Sequence, residues 1–530
     1  MSSLPSILVK WIDDEWVWVS FFLLVIFVIR FPISNVSVID WDESVYFTIA
    51  QDIADGGVPY KTTWDNKGPF LYFIFVPIIL LFDESISALR IFTTFYLLLS
   101  MIFVYLLGRK FFHGFVCVIP PLIYGLFFDI ADFQGFSSNG ELFMMLPVIL
   151  ALLCFMNHGD KGDVLMLFLS GIFSAAAFFT KATAIFSVMV VPLFIIYRNL
   201  KPGSPNLKSF FKETAYYSSG FLAVVLALTL YFGIHGALYD FYYTYFIYNE
   251  RYMHIIPFKY GLLKMFDFVR EITLIKHEII TLAAIASAVY LLIKLIRKKL
   301  GQQEKNTLYF LLILSVLSSV GVLWGRHMWQ HYYLQMGLSY SLLIAFAISR
   351  LELNKSYLKV LIIIFFTVVM LESPIRRAIS DIKEEDEYTF DRLATHEVAD
   401  YIRNKTTIDE HILVLGGQPD IYFLSDRRSP IKFFWWNDQI LVVIKTVLDI
   451  EGTLPRMLNK NKPKYIIFYD GTIDEQKLHV SFFDAYIADN YSFEKRIGNY
   501  KLYRLNEIIN PHTKLNHFIL MITPESPIIK

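Results

Sequence analysis

Apolar runs recur along the first 372 residues of this chain, near 16–33, 86–108, 115–128, 140–156, 163–180, 183–197, 214–233, 277–296, 307–323, 332–349 and 357–372. Most approach the roughly 20 residues that an α-helix needs to cross about 30 Å of hydrocarbon. Backbone N–H and C=O groups in lipid must be satisfied within each segment, so about eleven such runs predict a bundle of transmembrane helices. Composition agrees: 55% of the 530 residues are hydrophobic, 17% aromatic and only 18% charged, against about 25% charged in soluble domains. The formal net charge of +0 gives no sign of nucleic-acid binding. Cys117 and Cys154 both lie in apolar runs and offer neither a disulfide framework nor metal-ligand spacing. The first run is too long for a signal-peptide core and lacks a small-residue cleavage site, which makes it a retained helix.

Topology follows from basic residues, which collect in cytoplasmic loops. Arg109 and Lys110 form one cluster, and Arg198, Lys201, Lys208 and Lys212 a second. Lys294, Arg297, Lys298, Lys299 and Lys305 form a third, and Arg350, Lys355 and Lys359 a fourth. The apolar run Phe70 to Phe82 is short for a span and contains Pro77. Taken as a non-crossing helix, it leaves all four clusters on the side of the N-terminus, the cytoplasm. The segment 38–44, the loops near 129–139 and 234–276, residues 325–331 and everything after 372 then face outward. After Glu372 charges become frequent and short strands alternate with helices: His411 to Gly416, Pro463 to Asp470, and a terminal pair from Tyr491 to Leu505, with helical stretches near 391–403, 446–460 and 479–489. The expected architecture is an α-helical polytopic membrane domain, 1–372, followed by a soluble α/β domain with a partly parallel sheet, 373–530.

Against this apolar background the charged outer residues stand out, because ionisable groups at membrane depth are functional candidates. Asp40, Asp42 and Glu43 follow the first span directly. Val45, Ile49 and Ile53 recur every fourth residue, with Gln51, Asp52 and Asp55 opposite, which predicts an amphipathic surface helix stopped by Gly56-Gly57. Asp42 then reads either as its N-cap or as a general base whose pKa neighbouring acids and partial burial raise. Asp65-Asn66-Lys67-Gly68-Pro69 places a lysine at a helix N-terminus. The helix dipole disfavours that unless an anion binds there, so Lys67 reads as a phosphate contact or as a snorkelling interfacial lysine. Lys181 lies between two apolar runs on the outer side, as a helix-end lysine or a second phosphate contact. Arg326, His327, His331, Tyr332 and Tyr333 cluster at the entry of a span, with no third ligand to make a metal site. Asp129, Asp132 and Glu141 flank a turn, where Glu141 serves as a capping acid or as a second active-site acid.

Asp42-Glu43, then Gly57-Val58-Pro59-Tyr60, then Lys67-Gly68-Pro69, ahead of a core of about eleven spans, resembles the GT-C glycosyltransferases. The nearest branch is the protein O-mannosyltransferase and lipid A aminoarabinose transferase group. The resemblance covers Trp11 to about Glu372 and is strongest over 38–110. It implies an inverting transferase in a bacterial inner membrane, with its active site outward, moving a sugar from a polyprenyl-phosphate donor to a hydroxyl-bearing acceptor. It implies Asp42 as the base with Glu43 as its partner. Lys67 is then a phosphate ligand, and Glu141, Lys181, Arg326, His331 and Tyr332 are substrate contacts. Gly68 departs from the proline usual in the family. No cofactor is required by such chemistry, although Asp40 and Asp42 form an Asp-x-Asp able to bind a divalent metal. The rival readings are a transporter or flippase of lipid-linked sugars, which would share the basic outer residues, and a membrane-anchored binding protein, which would explain only the tail.

Overall fold

The first described helix, Glu15–Arg30, starts where the Asp14 side chain accepts a hydrogen bond from the Trp16 amide at 2.9 Å. This is N-capping by a carboxylate, satisfying a donor that the helix itself cannot. The computed structural model describes residues 14–35, 41–130, 133–200, 205–275, 278–351, 393–416, 419–436, 454–470 and 481–506. Within them every expected span coincides with an apolar helix. Seven are long and apolar enough to cross a membrane: Glu15–Ser34, Ile86–Gly108, Gly140–Gly159, Leu207–Ile234, Ile279–Ile296, Gln302–Trp324 and Gln330–Ser349. Gly114–Phe127, Val164–Thr180 and Ala184–Asn199 are shorter apolar helices. The expected span 357–372 and the expected boundary at 372 lie outside the described residues.

The chain divides into two compact units, 1–392 and 393–530. In the first, the helices Gly140–Gly159 and Gln330–Ser349 are mostly buried inside the protein, whereas Leu207–Ile234 and Ile279–Ile296 turn most of their surface outward. The former pair are core helices of the bundle, and the latter carry its lipid-facing side. Helix Val164–Thr180 packs closely on Leu207–Ile234 through reciprocal glycines. A Cβ on Gly171 would lie 2.0 Å from the Tyr217 carbonyl oxygen, and one on Gly220 would lie 1.9 Å from that of Phe168. Small residues at such crossings let two backbones approach, which is how helices associate where lipid offers no hydrophobic drive.

Helix Trp41–Ala54 differs from expectation in two ways. Asp42 sits in its first turn rather than at the cap position. All side chains from Glu43 to Asp52 are buried, so this is not an amphipathic helix with a free polar face. The polar side that the periodicity marked is turned onto protein: Asp52 accepts hydrogen bonds from the hydroxyls of Thr62 and Thr63, which fixes the turn leading to the next helix. The termination is as read, with Gly56 at φ +92°, a conformation that glycine adopts without a Cβ penalty. Helix Pro69–Phe82 begins on its proline, which needs no amide partner there. At 1.5 Å per residue its 14 residues extend about 21 Å, short of the hydrocarbon thickness.

The second unit holds a four-stranded sheet in the order β1-β2-β4-β3. Strands β1 (Ile412–Leu415) and β2 (Tyr465–Tyr469) run parallel. Strand β4 (Tyr500–Leu505) lies antiparallel to β2 and pairs on its other side with β3 (Tyr491–Ile497). The parallel pair needs a crossover, and the hairpin needs only the turn at Gly498, where φ is +54°. This is the partly parallel α/β arrangement that the strand spacing predicted. Glu494 accepts hydrogen bonds from the Tyr401 and Tyr465 hydroxyls, pinning helix 393–405 to the sheet.

A valine in place of Gly220 would force the Val164–Thr180 and Leu207–Ile234 helices apart. Gly220→Val is expected to cost about 1–3 kcal/mol, read as a lowered unfolding temperature of the detergent-solubilised protein. An unchanged temperature would show that the crossing is loose.

Candidate active site

The acids and bases picked out in the sequence converge on the ends of five helices. Asp42, in the first turn of Trp41–Ala54, accepts a hydrogen bond from the Tyr46 hydroxyl at 2.8 Å. Tyr46 is one turn further along the same helix, where i and i+4 side chains meet. Lys67 reaches Asp42 from the next loop, with Nζ 3.5 Å from Oδ2, and both side chains remain partly exposed.

Lys67 is placed by a dense set of contacts. The Tyr60 and Tyr72 hydroxyls donate to its carbonyl oxygen at 2.6 and 3.3 Å. The single Tyr72 hydroxyl proton is shared with the buried Asp65, its nearer acceptor at 2.8 Å. Asn66 and Asn249 exchange hydrogen bonds, with the Asn249 amide donating to the Asn66 carbonyl at 2.8 Å and the Asn66 amide to Asn249 Oδ1 at 3.0 Å. Gly68 then presses against the carboxyl end of helix Val164–Thr180. Its amide donates to the Thr180 carbonyl at 3.2 Å, and a Cβ there would stand 1.9 Å from the Phe179 carbonyl oxygen. The departure from proline thus has a physical reason in this chain, because proline would add a Cβ where none fits and delete that amide. The contact brings Lys67 next to the helix end that carries Lys181.

Lys181 caps that helix and forms a buried ion pair with Glu141, which lies in the first turn of Gly140–Lys161. Its ammonium also lies 4.6 Å from the centre of the Tyr332 ring, a cation–π contact. The other Glu141 oxygen, Oε2, and the neighbouring Asn139 Oδ1 are buried without a hydrogen-bond partner among the described residues. His331 stands beside Tyr332 with Nδ1 3.4 Å from Gln134 Oε1.

Electrostatics distinguish the members. Burial alone would raise the Asp42 carboxyl, but the Lys67 ammonium, then His331, Lys181 and the Tyr46 hydroxyl, outweigh it and lower it to about 2. This corrects the expectation of a raised value, because the cations around Asp42 count for more than the neighbouring acids. Burial works against the charge on Lys67, yet Asp42 and Asp65 overcome it and hold the ammonium above its ordinary pKa. Asp65 is raised, chiefly by burial, with Lys67 opposing.

Two expected site residues are placed elsewhere. Glu43 faces away from Asp42 in a bidentate, buried ion pair with Arg90, at 2.5 and 2.7 Å, and accepts the Ser138 amide at 2.9 Å. It ties three chain segments together and is a positioning residue in this structure. Arg326 donates to the Ile256 carbonyl at 3.2 Å and lies 5.9 Å from the centre of the Phe258 ring, so it joins a neighbouring loop rather than the Asp42 cluster. Asp129 pairs with Arg30 at 3.0 Å, tying the end of the first span to the turn after the Ile119–Phe127 helix. Asp40 and Asp132 lie outside the described residues, and among the described residues no three His, Cys, Asp or Glu side chains group as a metal site. Tyr46, Tyr72 and Arg90 are not among the site residues that the sequence marks, and Tyr60 enters there only within the Gly57-Val58-Pro59-Tyr60 stretch. Arg90 carried a signal, as a charge inside an otherwise apolar run.

Comparison with known proteins bears on this geometry. The crystal structure of ArnT from Cupriavidus metallidurans bound to undecaprenyl phosphate superposes with a TM-score of 0.58 at 12% identity, covering 92% of this chain and 97% of that one. Its apo form gives the same values. The chain has the GT-C fold. Residues 66–235 match the dolichyl-phosphate-mannose-protein mannosyltransferase family, a stretch that contains Lys67, Glu141 and Lys181. The archaeal oligosaccharyltransferase AglB from Archaeoglobus fulgidus, in complex with an inhibitory peptide and a dolichol-phosphate, aligns at 14% identity over 93% of this chain and 75% of its own, with a TM-score of 0.46. No curated protein sequence matches the chain.

Glu43→Gln takes a carboxylate charge away from the buried Arg90 guanidinium and is expected to destabilise the protein by up to about 3–5 kcal/mol. Asp42→Asn, at a partly exposed position, should leave thermal unfolding within about 1 kcal/mol of the parent. Equal unfolding temperatures for the two variants would contradict the separation of roles.

Proposed function

We propose that this chain is an inverting glycosyltransferase that moves a sugar from a polyprenyl-phosphate donor to an acceptor hydroxyl on the outer face of a membrane. The observation that carries this reading is the pairing of Asp42 with Lys67 at 3.5 Å directly before the N-terminus of helix Pro69–Phe82. A carboxylate and an ammonium, beside the positive end of a helix, supply both halves of a displacement reaction. The GT-C fold and the family match over 66–235 support the class of reaction.

The steps follow from the charges. A donor phosphate is dianionic once it leaves, and it needs cations more than a proton donor. Lys67 and the helix end receive it, with Lys181 one residue beyond the Gly68 contact. The acceptor O–H loses its proton to Asp42. Its oxygen forms the new bond to the anomeric carbon while the bond from that carbon to the phosphate oxygen breaks, and the electron pair leaves with the polyprenyl phosphate. One displacement inverts the anomeric centre. The spare oxygens of Glu141 and Asn139 are suited to accept hydroxyl hydrogens of the sugar, since buried acceptors left unpaired are costly.

Donor binding also solves a problem of base strength. At a pKa of about 2 Asp42 is ionised but a poor proton acceptor. A phosphate that draws Lys67 toward itself removes the foremost of the lowering charges on Asp42 and adds a negative one. The carboxylate then becomes a stronger base only when a donor is present.

Asp42→Asn is expected to lower transfer from labelled undecaprenyl-phosphate sugars about 10²–10⁴-fold, with undecaprenyl phosphate binding retained; full turnover in this variant would remove Asp42 from the mechanism. Lys67→Gln releases the depression of Asp42. A base works only when ionised, so activity is present above its pKa and lost as pH falls through it. The residual rate of Lys67→Gln should therefore fall at a higher pH than that of the parent, and coincident acid limbs would show that Lys67 does not control the base.

A further inference from the structure

Beside Lys67 lies a series of near-parallel aromatic rings that the transfer chemistry does not use. Tyr248 and Tyr252 stack at 6.2 Å and 11°. Tyr252 and His327 stack at 4.2 Å and 11°, and His327 and Trp329 follow at 6.5 Å and 4°. The rings come from two separate outer segments, the helical turns around Asn249–His254 and the loop after helix Gln302–Trp324. The series runs from Tyr248, which is 2% exposed, to Trp329, which is 38% exposed.

Its inner end is locked to the phosphate side of the site. Trp64 packs edge-on against Tyr248 at 4.7 Å, and the Asn66–Asn249 exchange fastens the two segments next to Lys67. Tyr252 and Lys67 act on each other's charge. The middle ring carries a polar vacancy: His327 Nε2 is buried without a hydrogen-bond partner among the described residues. Burial pushes this imidazole down to about 4, so it is neutral near pH 7 and able to share a hydrogen bond with a hydroxyl.

Aromatic faces carry negative potential and edge C–H groups carry positive potential. A pyranose ring presents C–H groups on its face and hydroxyls at its rim. An aromatic series ending in a half-exposed tryptophan, with one unpaired imidazole nitrogen beside it and a phosphate-binding lysine at its far end, matches that pattern. We propose that Trp329, backed by the Tyr252–His327 stack, forms the platform on which a sugar ring packs next to the reacting phosphate. This rests on the transferase reading above. The ring belongs either to the donor or to a glycan acceptor, which share the same chemistry.

The test uses the full-length protein in nanodiscs, with Trp329→Leu and, as the conservative rescue, Trp329→Phe. Undecaprenyl phosphate without sugar is titrated first and should bind the parent and both variants equally. The donor source predicts that undecaprenyl-phosphate mannose or glucose binds the parent more tightly than undecaprenyl phosphate. Trp329→Leu should lose about 3–10-fold of that margin and Trp329→Phe should recover most of it. The acceptor source predicts that, with undecaprenyl phosphate saturating, methyl mannoside, glucoside or galactoside quenches tryptophan fluorescence in the parent but not in Trp329→Leu. Identical behaviour of parent and Trp329→Leu in both arms overturns the platform while leaving the transferase reading intact. A parallel loss of undecaprenyl phosphate affinity in Trp329→Leu also overturns it, by assigning the rings to the isoprenoid chain. Failure of the parent itself to bind undecaprenyl phosphate refutes the transferase reading instead.

Discussion

A charge at the end of an apolar helix must find a partner or lose its ionisation, since burying it alone costs several kcal/mol. The membrane unit is organised around that constraint. Arg30 with Asp129 and Arg90 with Glu43 close tightly, and backbone groups add further hydrogen bonds to each pair. These pairs join helix ends that are distant in sequence and frame the end of the bundle that carries Asp42. Asp42 with Lys67 is different: it is longer, at 3.5 Å, and partly open to solvent. Closed pairs on either side of this more open one leave exchangeable charge between Asp42 and Lys67.

On the proposed reading, the open pair lets one carboxylate be quiet at rest and basic in turnover. A base with a permanently raised pKa would be protonated, or would react with any hydroxyl that reached it. A base held down by a cation that the leaving group competes for is unmasked only by the correct partner. Glu141 and Lys181 repeat the motif at greater depth, with one carboxylate oxygen left over for a neutral hydrogen-bond donor.

Much of this was legible in the residues. Long apolar runs fixed the class of fold, because length and hydropathy are local quantities and the bilayer imposes a hard threshold on them. Asp42, Lys67, Glu141, Lys181 and His331 were visible as polar groups where apolar ones are expected, and the structure brings them together. What escaped was whatever depends on which way a side chain points. The Trp41–Ala54 helix looked amphipathic because its polar residues recur on one side, yet that side meets Thr62 and Thr63 rather than water. Glu43 is adjacent to Asp42 in sequence and therefore points elsewhere on a helix, toward Arg90. Arg326 shared a cluster of letters with His331 but not a place. The lowered pKa of Asp42 was hidden for the same reason, since it depends on Lys67, His331 and Lys181 arriving from other elements.

The absence of a side chain at position 68 has a mechanical corollary. Because that backbone touches the Phe179–Thr180 carbonyls directly, the strap bearing one lysine and the rod bearing the other cannot shift independently. In the proposed reaction, a phosphate that tugs on either cation is felt by both, so the headgroup is sensed by a single jointed part of the machine, and no flexible arm has to search for it.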